Sequence, residues 1–319
     1  MHPCFPSVHS VNLDDLRTFS EAARRGSLRQ AAEALHASSS AVSKALRRLE
    51  AALQAPLFDR RAGALQLNED GRRLQRRAQA LLSLAQDTLA EFRGDRHASP
   101  LRVSGPALLL ARLAPALVAA LDAQPGARGL AAADAYEEAA LAALERAEVD
   151  LALVTAVAIS PAPPAGIETL PLGRLPLCLA VHRQHPLAAG ANAGCVQRRL
   201  QDLQGVDFVA PLRSPFCGIA RGARADGWRE DLAPRQVRHW ADDLPTRLAL
   251  VLSGQAAAYL PEDMVGALGL VRIALAEHPH DCVESLYLAW QPATAPGWLH
   301  ALVDALRQAH ADAARPDQG

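Results

Sequence analysis

From residue 13 to residue 53, apolar positions recur in three short blocks at helical spacing. Leu13, Leu16, Phe19 and Ala23 step by three or four, and Gly26 ends the block as a C-terminal cap would. Ser27 followed three residues later by Gln30 has the form of a capping box, which predicts a second helix through Ala31, Ala32 and Leu35. His36-Ala37-Ser38 leaves room only for a sharp corner. The third block places Val42, Leu46, Leu49 and Leu53 on one stripe. At roughly 100° per residue, Ser40, Lys44 and Arg47 then project from the opposite face, with Ser43 and Arg48 at its edges. Two short helices, a tight turn and a helix with a Ser/Lys/Arg outer face form a helix-turn-helix pattern.

The stretch PLFDRRAGALQL (56–67) reads as a small β-hairpin, or wing, with Arg60 and Arg61 placed to touch phosphates. Asn68 can cap a following helix that reaches about residue 93. Within that helix Leu74, Ala78, Leu81, Ala85, Thr88 and Phe92 step alternately by four and three, the seam of a two-helix coiled coil and hence of a dimer. Dimers of such heads read paired half-sites on one face of a duplex.

Beyond residue 99, strands alternate with helices. A strand over Leu101–Ser104 runs into Gly105-Pro106 and a helix through Leu108–Leu121, and EEAALAALERAEVDLALVTAV gives a helix and a buried strand. The alternation continues to a final helix from Pro296 to about Ala311. This pattern predicts a parallel-rich α/β region of two lobes. Ligands of such regions bind in the crevice at the strand ends. Three loops are expected there: Ser104-Gly105-Pro106-Ala107, Arg213-Ser214-Pro215-Phe216 and Trp240-Ala241-Asp242-Asp243. The candidate ligand-binding set is Ser104, Gly105, Pro106, Ala107, Thr155, Arg213, Ser214, Phe216 and Asp242. Few obvious charges fall in these loops, which suggests a small organic acid or an aromatic metabolite.

Composition narrows the class. Half of the 319 residues are hydrophobic and 21% are charged, normal for a protein with sizeable cores. The net charge of −1 hides an asymmetry: residues 1–94 carry 14 Lys/Arg against 10 Asp/Glu, the remainder 19 against 24. The basic end is where a polyanion is expected to bind. Lys44 is the only lysine in the chain. Arg112 interrupts the best apolar run, so no membrane span is expected, and MHPCFPSVHSV reads as a flexible leader rather than a secretory signal. Five cysteines without a C-x-x-C pair argue for a reducing, cytoplasmic setting. His278, His280 and Cys282 have metal-ligand residue types, but alternating around a proline they favour a surface loop, so no metal and no cofactor is expected. Cys217 has no resolving partner near in sequence. Neither a G-x-S-x-G, an H-E-x-x-H nor a Walker-type motif is present, and the chain is not expected to be an enzyme.

At this point residues 13–93 resemble one family, the LysR-type transcriptional regulators, through L-D-D-L-R-T-F, G-S-L-R-Q-A-A-E-A-L-H, S-S-S-A-V-S-K-A-L-R-R-L-E, L-F-D-R and L-N-E-D-G. The resemblance continues more loosely in V-D-L-A-L-V, H-P-L-A and L-V-L-S-G-Q-A-A-A-Y-L-P. It implies an α/β multidomain chain: a leader (1–11), a winged helix-turn-helix (12–68), a linker helix (69–94) and a periplasmic-binding-protein-like effector domain (99–314). Lobe I of that domain would combine about 99–162 with 268–314, and lobe II would hold about 163–267. The implied partners are double-stranded promoter DNA, a second copy in a dimer and further copies in a tetramer, RNA polymerase and a small-molecule effector. The candidate DNA-contacting set is Ser27, Arg29, Ser38, Ser39, Ser40, Ser43, Lys44, Arg47, Arg60 and Arg61. Ser39 stands where the family usually carries glutamine, a common base reader, so base preference is left open. The competing reading is an α/β binding or catalytic domain whose helical N-terminus only dimerises. Such a dimeriser has no need of the Ser40/Lys44/Arg47 face or the Arg60-Arg61 wing.

Overall fold

The structure is a computed structural model, and it describes residues 11–61, 64–93, 98–124, 126, 128–277 and 282–313. The N-terminal unit comprises α1 (Leu13–Arg25), α2 (Leu28–Ala34), α3 (Ser39–Leu53), the hairpin β1 (Phe58–Arg61) with β2 (Ala64–Leu67), and the long helix α4 (Glu69–Arg93). Asn12 caps α1 by accepting from the Asp14 N–H, and Gly26 closes it at φ +63°, a conformation that suits glycine. Ser38 caps α3 by accepting from the Ala41 N–H at 3.1 Å. At α2 the predicted capping box is absent: Ser27 occupies the N-cap position but makes no side-chain capping bond. Asn68 does cap α4, its Oδ1 accepting from the Gly71 N–H at 2.8 Å.

The head core is built from Leu16, Phe19, Val42, Leu46, Leu49 and Phe58, with the rings of Phe19 and Phe58 5.6 Å apart. Two polar contacts lock its corners. Arg48 grips the buried Asp15 through Nε at 3.0 Å and Nη2 at 2.5 Å, joining α3 to α1. Glu50 accepts from the Leu57 N–H at 2.9 Å, tying the end of α3 to the wing. The expected dimer seam divides at this core. Ala78 is buried in the head core and is not free to face a second copy, while Leu74 packs against that core and is half-buried. Leu81, Leu84 and Leu89 farther along α4 are exposed, as is Thr88, while Ala85 is half-buried. The Phe92 side chain lies outside the described residues.

The remainder follows as β3 (Ala98–Gly105), α5 (Ala107–Asp122), β4 (Arg128–Asp134), α6 (Glu137–Glu145), β5 (Leu151–Thr155), β6 (Glu168–Val181), β7 (Cys195–Arg198), β8 (Asp207–Ala210), β9 (Gln236–Trp240), α7 (Leu244–Leu252), β10 (Ala258–Pro261), α8 (Glu262–Ala267), β11 (Val271–Leu275), β12 (Val283–Trp290) and α9 (Gly297–Ala313). The sheet runs β4-β3-β5-β12-β6-β11-β7, with β10 also paired to β6 and with β8-β9 as a separate pair. Strands β3, β4 and β5 are parallel, as are β7 with β11 and β8 with β9, but β10, β11 and β12 all run against β6, and β12 runs against β5. The sheet is therefore mixed, not parallel-rich.

The reason is β6. Unbroken for 14 residues, it pairs with β12 over Glu168–Pro176 and with β10 and β11 over Leu177–Val181, so one strand serves both lobes. Lobe I packs Leu101, Leu109, Leu153, Leu288 and Val303 around one core, and lobe II packs Leu179, Phe208, Trp228, Tyr259 and Ile273 around another. The lobe boundaries differ accordingly from 162/163 and 267/268. Leu170 and Leu175 belong to the lobe I core, whereas β11 belongs to lobe II.

Candidate functional site: a nucleic-acid groove and an inter-lobe cleft

On the head, α2, the start of α3 and the hairpin enclose a groove of about 600 Å³. Ser27, Arg29, Ser39, Ser43 and Arg47 line it together, with Phe58 and Leu65 as its apolar floor. Ser40 and Lys44 are exposed on the adjoining face of α3. Ser38 is exposed too, but its hydroxyl oxygen is engaged at the cap. Among the described residues neither Lys44 nor Arg47 has an ion pair or hydrogen bond to its side chain, and Arg29 has only a 3.9 Å contact with Glu33. Arg48, one position on, is turned back onto Asp15. Adjacent arginines thus have different tasks, which the helical stripe alone did not separate. Arg60 and Arg61 lie on β1, and their side chains are outside the described residues, as is the wing tip at 62–63.

The second concavity lies where the lobes meet. A cleft of about 420 Å³ is bordered by the N-termini of α5, α6 and α7, with Ala107, Asp134, Tyr136, Asp242, Asp243 and Arg247 among its walls. Of the predicted effector set, Ala107 and Asp242 line it. Asp242 is fixed there because Oδ1 accepts from the N–H groups of Leu212 and Arg213 at 2.8 and 3.0 Å.

The rest of that set is placed differently. Ser104 is buried and donates to the Ala133 carbonyl at 3.1 Å, and a Cβ on Gly105 would meet Leu153 at 2.8 Å, so this strand end is packed shut. Pro106 is buried at the N-cap of α5. Thr155 is buried, its N–H donating to Glu137 at 2.6 Å. The Arg213 guanidinium donates to Gly218 O within its own loop. Ser214 is buried, its oxygen lying 3.4 Å from the Phe216 N–H. Phe216 crosses to the lobe I core, and the Glu137 N–H donates to its carbonyl at 3.1 Å. A local pattern of polar loop residues does not reveal this, because the lobes close on the loop.

The expectation of few charges in the cleft is also corrected: three carboxylates and a guanidinium line it. Arg247 was missed. Its signal was a lone arginine inside the apolar run LPTRLALVL. On β12, burial and the charge of Glu137 push the Glu284 carboxyl above its usual range. Burial, with Glu284 nearby, pushes the Cys282 thiol up to about 11. No group of three or more metal-ligating side chains occurs among the described residues, and 278–281 lie outside them. No helix among the described residues is long and apolar enough to cross a membrane.

One chain thus joins a three-helix head with a wing, a long connecting helix and a two-lobed α/β domain. Residues 13–72 match the family described as bacterial regulatory helix-turn-helix protein, lysR family, and residues 94–311 match the LysR substrate binding domain. The chain belongs to the LysR family. An uncharacterized HTH-type transcriptional regulator of Azotobacter vinelandii is 42% identical over 78 residues, 24% of this chain and 54% of that protein. The HTH-type transcriptional regulator CfxR of Cupriavidus necator is 28% identical over 216 residues, 66% of this chain and 63% of that one. The alignments thus span between half and two thirds of these two relatives. Full-length LysG of Corynebacterium glutamicum, solved with bound effector Arg, shares the fold at a TM-score of 0.61 with 21% identity, covering 95% of this chain and 99% of that one.

Proposed function

We propose that this protein is a ligand-responsive transcriptional regulator rather than an enzyme, gripping promoter DNA through the groove of its head. The observation that carries the reading is the Ser39/Ser43/Arg47 groove beside an exposed Lys44, with both cations left without protein partners among the described residues. Short hydroxyls let a helix start approach a groove floor, and unpaired cations on its face suit guanine edges or phosphates. The exposed leucines of α4 supply an apolar face for a second copy, which pairs two heads on one duplex. In this reading the protein works in the cytoplasm as a dimer or a dimer of dimers. Effector in the inter-lobe cleft biases lobe closure or subunit packing, and with it how the heads meet bent DNA and RNA polymerase. The effector can do so only to the extent that its affinity differs between the two states.

The test is a mobility shift of the purified full-length protein on the DNA upstream of its own coding region, at two salt concentrations, with selection from a random duplex pool alongside. Sequence-selective binding that weakens steeply with salt is expected. Failure to enrich any sequence, with affinity equal on all duplexes, would overturn the reading.

A further inference from the structure

Arg247 sits on the first turn of α7 and is only 2% exposed, yet among the described residues its guanidinium has neither an ion pair nor a hydrogen bond. Its Nε is fully buried without an acceptor. Arg235 shows what the fold does with a structural buried arginine: its Nε and Nη1 also lack acceptors, but its Nη2 donates to Asp226 at 2.8 Å and to the Ala223 carbonyl at 2.6 Å, and the guanidinium lies over the Trp228 and Phe208 rings. Arg247 has no such arrangement. Burial pulls its guanidinium down, and only the charges of Asp226, Asp242, Asp243 and Tyr136, none in contact with it, favour the charged form. An arginine does not shed its proton near neutral pH, so the fold carries a desolvated cation at the wall of an open cleft. A guanidinium so placed is matched by an anion that accepts two parallel N–H bonds, as a carboxylate does.

A simple organic acid is a poor occupant of the same cleft, because three carboxylates border it against one guanidinium. Two of those are already engaged: Asp242 with the Leu212 and Arg213 N–H groups, and Asp243 as the cap of α7, accepting from the Thr246 N–H at 2.8 Å. Asp134, at the end of β4, is exposed and has no partner among the described residues. The cleft therefore offers one unpaired cation and one unpaired anion. Resting on the effector reading above, we propose that the cleft takes a small zwitterion of the amino-acid class, its carboxylate on Arg247 and its ammonium on Asp134. The volume suits a ligand of that size. Doubly negative acids are excluded by the acidic border.

The experiment uses the full-length protein and the proteinogenic amino acids, each screened by thermal shift at about 10 mM and followed by calorimetry for those that raise the melting temperature. For each ligand found, the matching acid without the amino group and the matching amine without the carboxylate are tested in parallel. Both are expected to lose at least about tenfold in affinity. R247M is expected to abolish binding without lowering the melting temperature of the free protein, and R247K to keep the fold while weakening the ligand. D134N is expected to weaken the amino acid but not its des-amino counterpart. The proposal is overturned if no amino acid binds, if the des-amino acid binds as tightly, or if R247M and R247K both bind like the wild type. DNA binding of the wild type and R247M is measured without ligand. Intact DNA binding with no amino-acid binding removes this proposal and leaves the regulator reading standing.

Discussion

Arg47→Ala and Arg48→Ala, one residue apart on α3, should fail in opposite ways. Arg47 is exposed, lines the head groove and has no protein partner among the described residues, so its removal costs the fold nothing the structure can identify. If it contacts a phosphate, each head loses one counterion-releasing contact, which flattens the slope of log K against log salt by about 0.9 per head, or about 1.8 per dimer. Between about 0.05 and 0.2 M salt, the wild type should then lose roughly tenfold more affinity than the variant. Arg48 instead holds Asp15, a carboxylate only 5% exposed, through two hydrogen bonds. Arg48→Ala strands that carboxylate, so the head should melt at lower temperature while the salt slope of the remaining folded protein stays as in the wild type. The assay is fluorescence anisotropy of a labelled operator duplex over a salt series, paired with thermal melts of both variants. An unchanged slope in Arg47→Ala would refute the phosphate assignment. A lower melting temperature in Arg47→Ala, or none in Arg48→Ala, would refute the division of labour.

Three further outcomes are expected. Phe19 is fully buried against Phe58, so Phe19→Ala should destabilise the head by about 3–5 kcal/mol and abolish DNA binding, while effector-domain signals in a denaturant series move little. The Glu284 carboxyl is raised in the folded protein, so the unfolded chain releases its proton first and stability falls as pH rises from the unfolded value of about 4.3 through the folded one. Glu284→Gln should therefore gain melting temperature over the wild type above that window and show no gain below it; an equal shift at every pH would contradict this. With its thiol pushed up to about 11, Cys282 should resist iodoacetamide in the native protein at pH 8, whereas the exposed Cys195 should be alkylated, as peptide mass spectrometry would read.

How much of this was legible beforehand varied with the range of the interactions involved. The three head helices, the Gly26 cap and the Asn68 cap all appear where their local patterns put them, because each rests on contacts within a few residues. The Ser/Lys/Arg face of α3 follows from the same periodicity. The seam of α4 shows the limit. Its seven-residue spacing is real, but Ala78 is consumed by its own head core with Leu74 half-buried against it, and only the tertiary packing says which copies of the stripe remain free. Likewise nothing in the sequence near Arg48 tells that it reaches back 33 residues to Asp15.

The sequence by itself determined the kind of molecule: a basic winged helix-turn-helix, a long helix, and an α/β region of two lobes. Those are properties of periodicity, capping and turn chemistry, which act locally and leave a readable trace. Tertiary structure alone decided which polar loops face the inter-lobe cleft. Ser104, Thr155, Ser214 and Phe216 look like cleft residues in the chain but are buried, Ser104 and Thr155 against Ala133 and Glu137 of their own lobe and Phe216 in the core of the lobe opposite its own. Arg247, hidden in an apolar helix, becomes the uncompensated charge of the cleft because distant segments desolvate it without supplying a partner. Burial and pairing are set by contacts across the whole fold, so no spacing rule along the chain could have announced them.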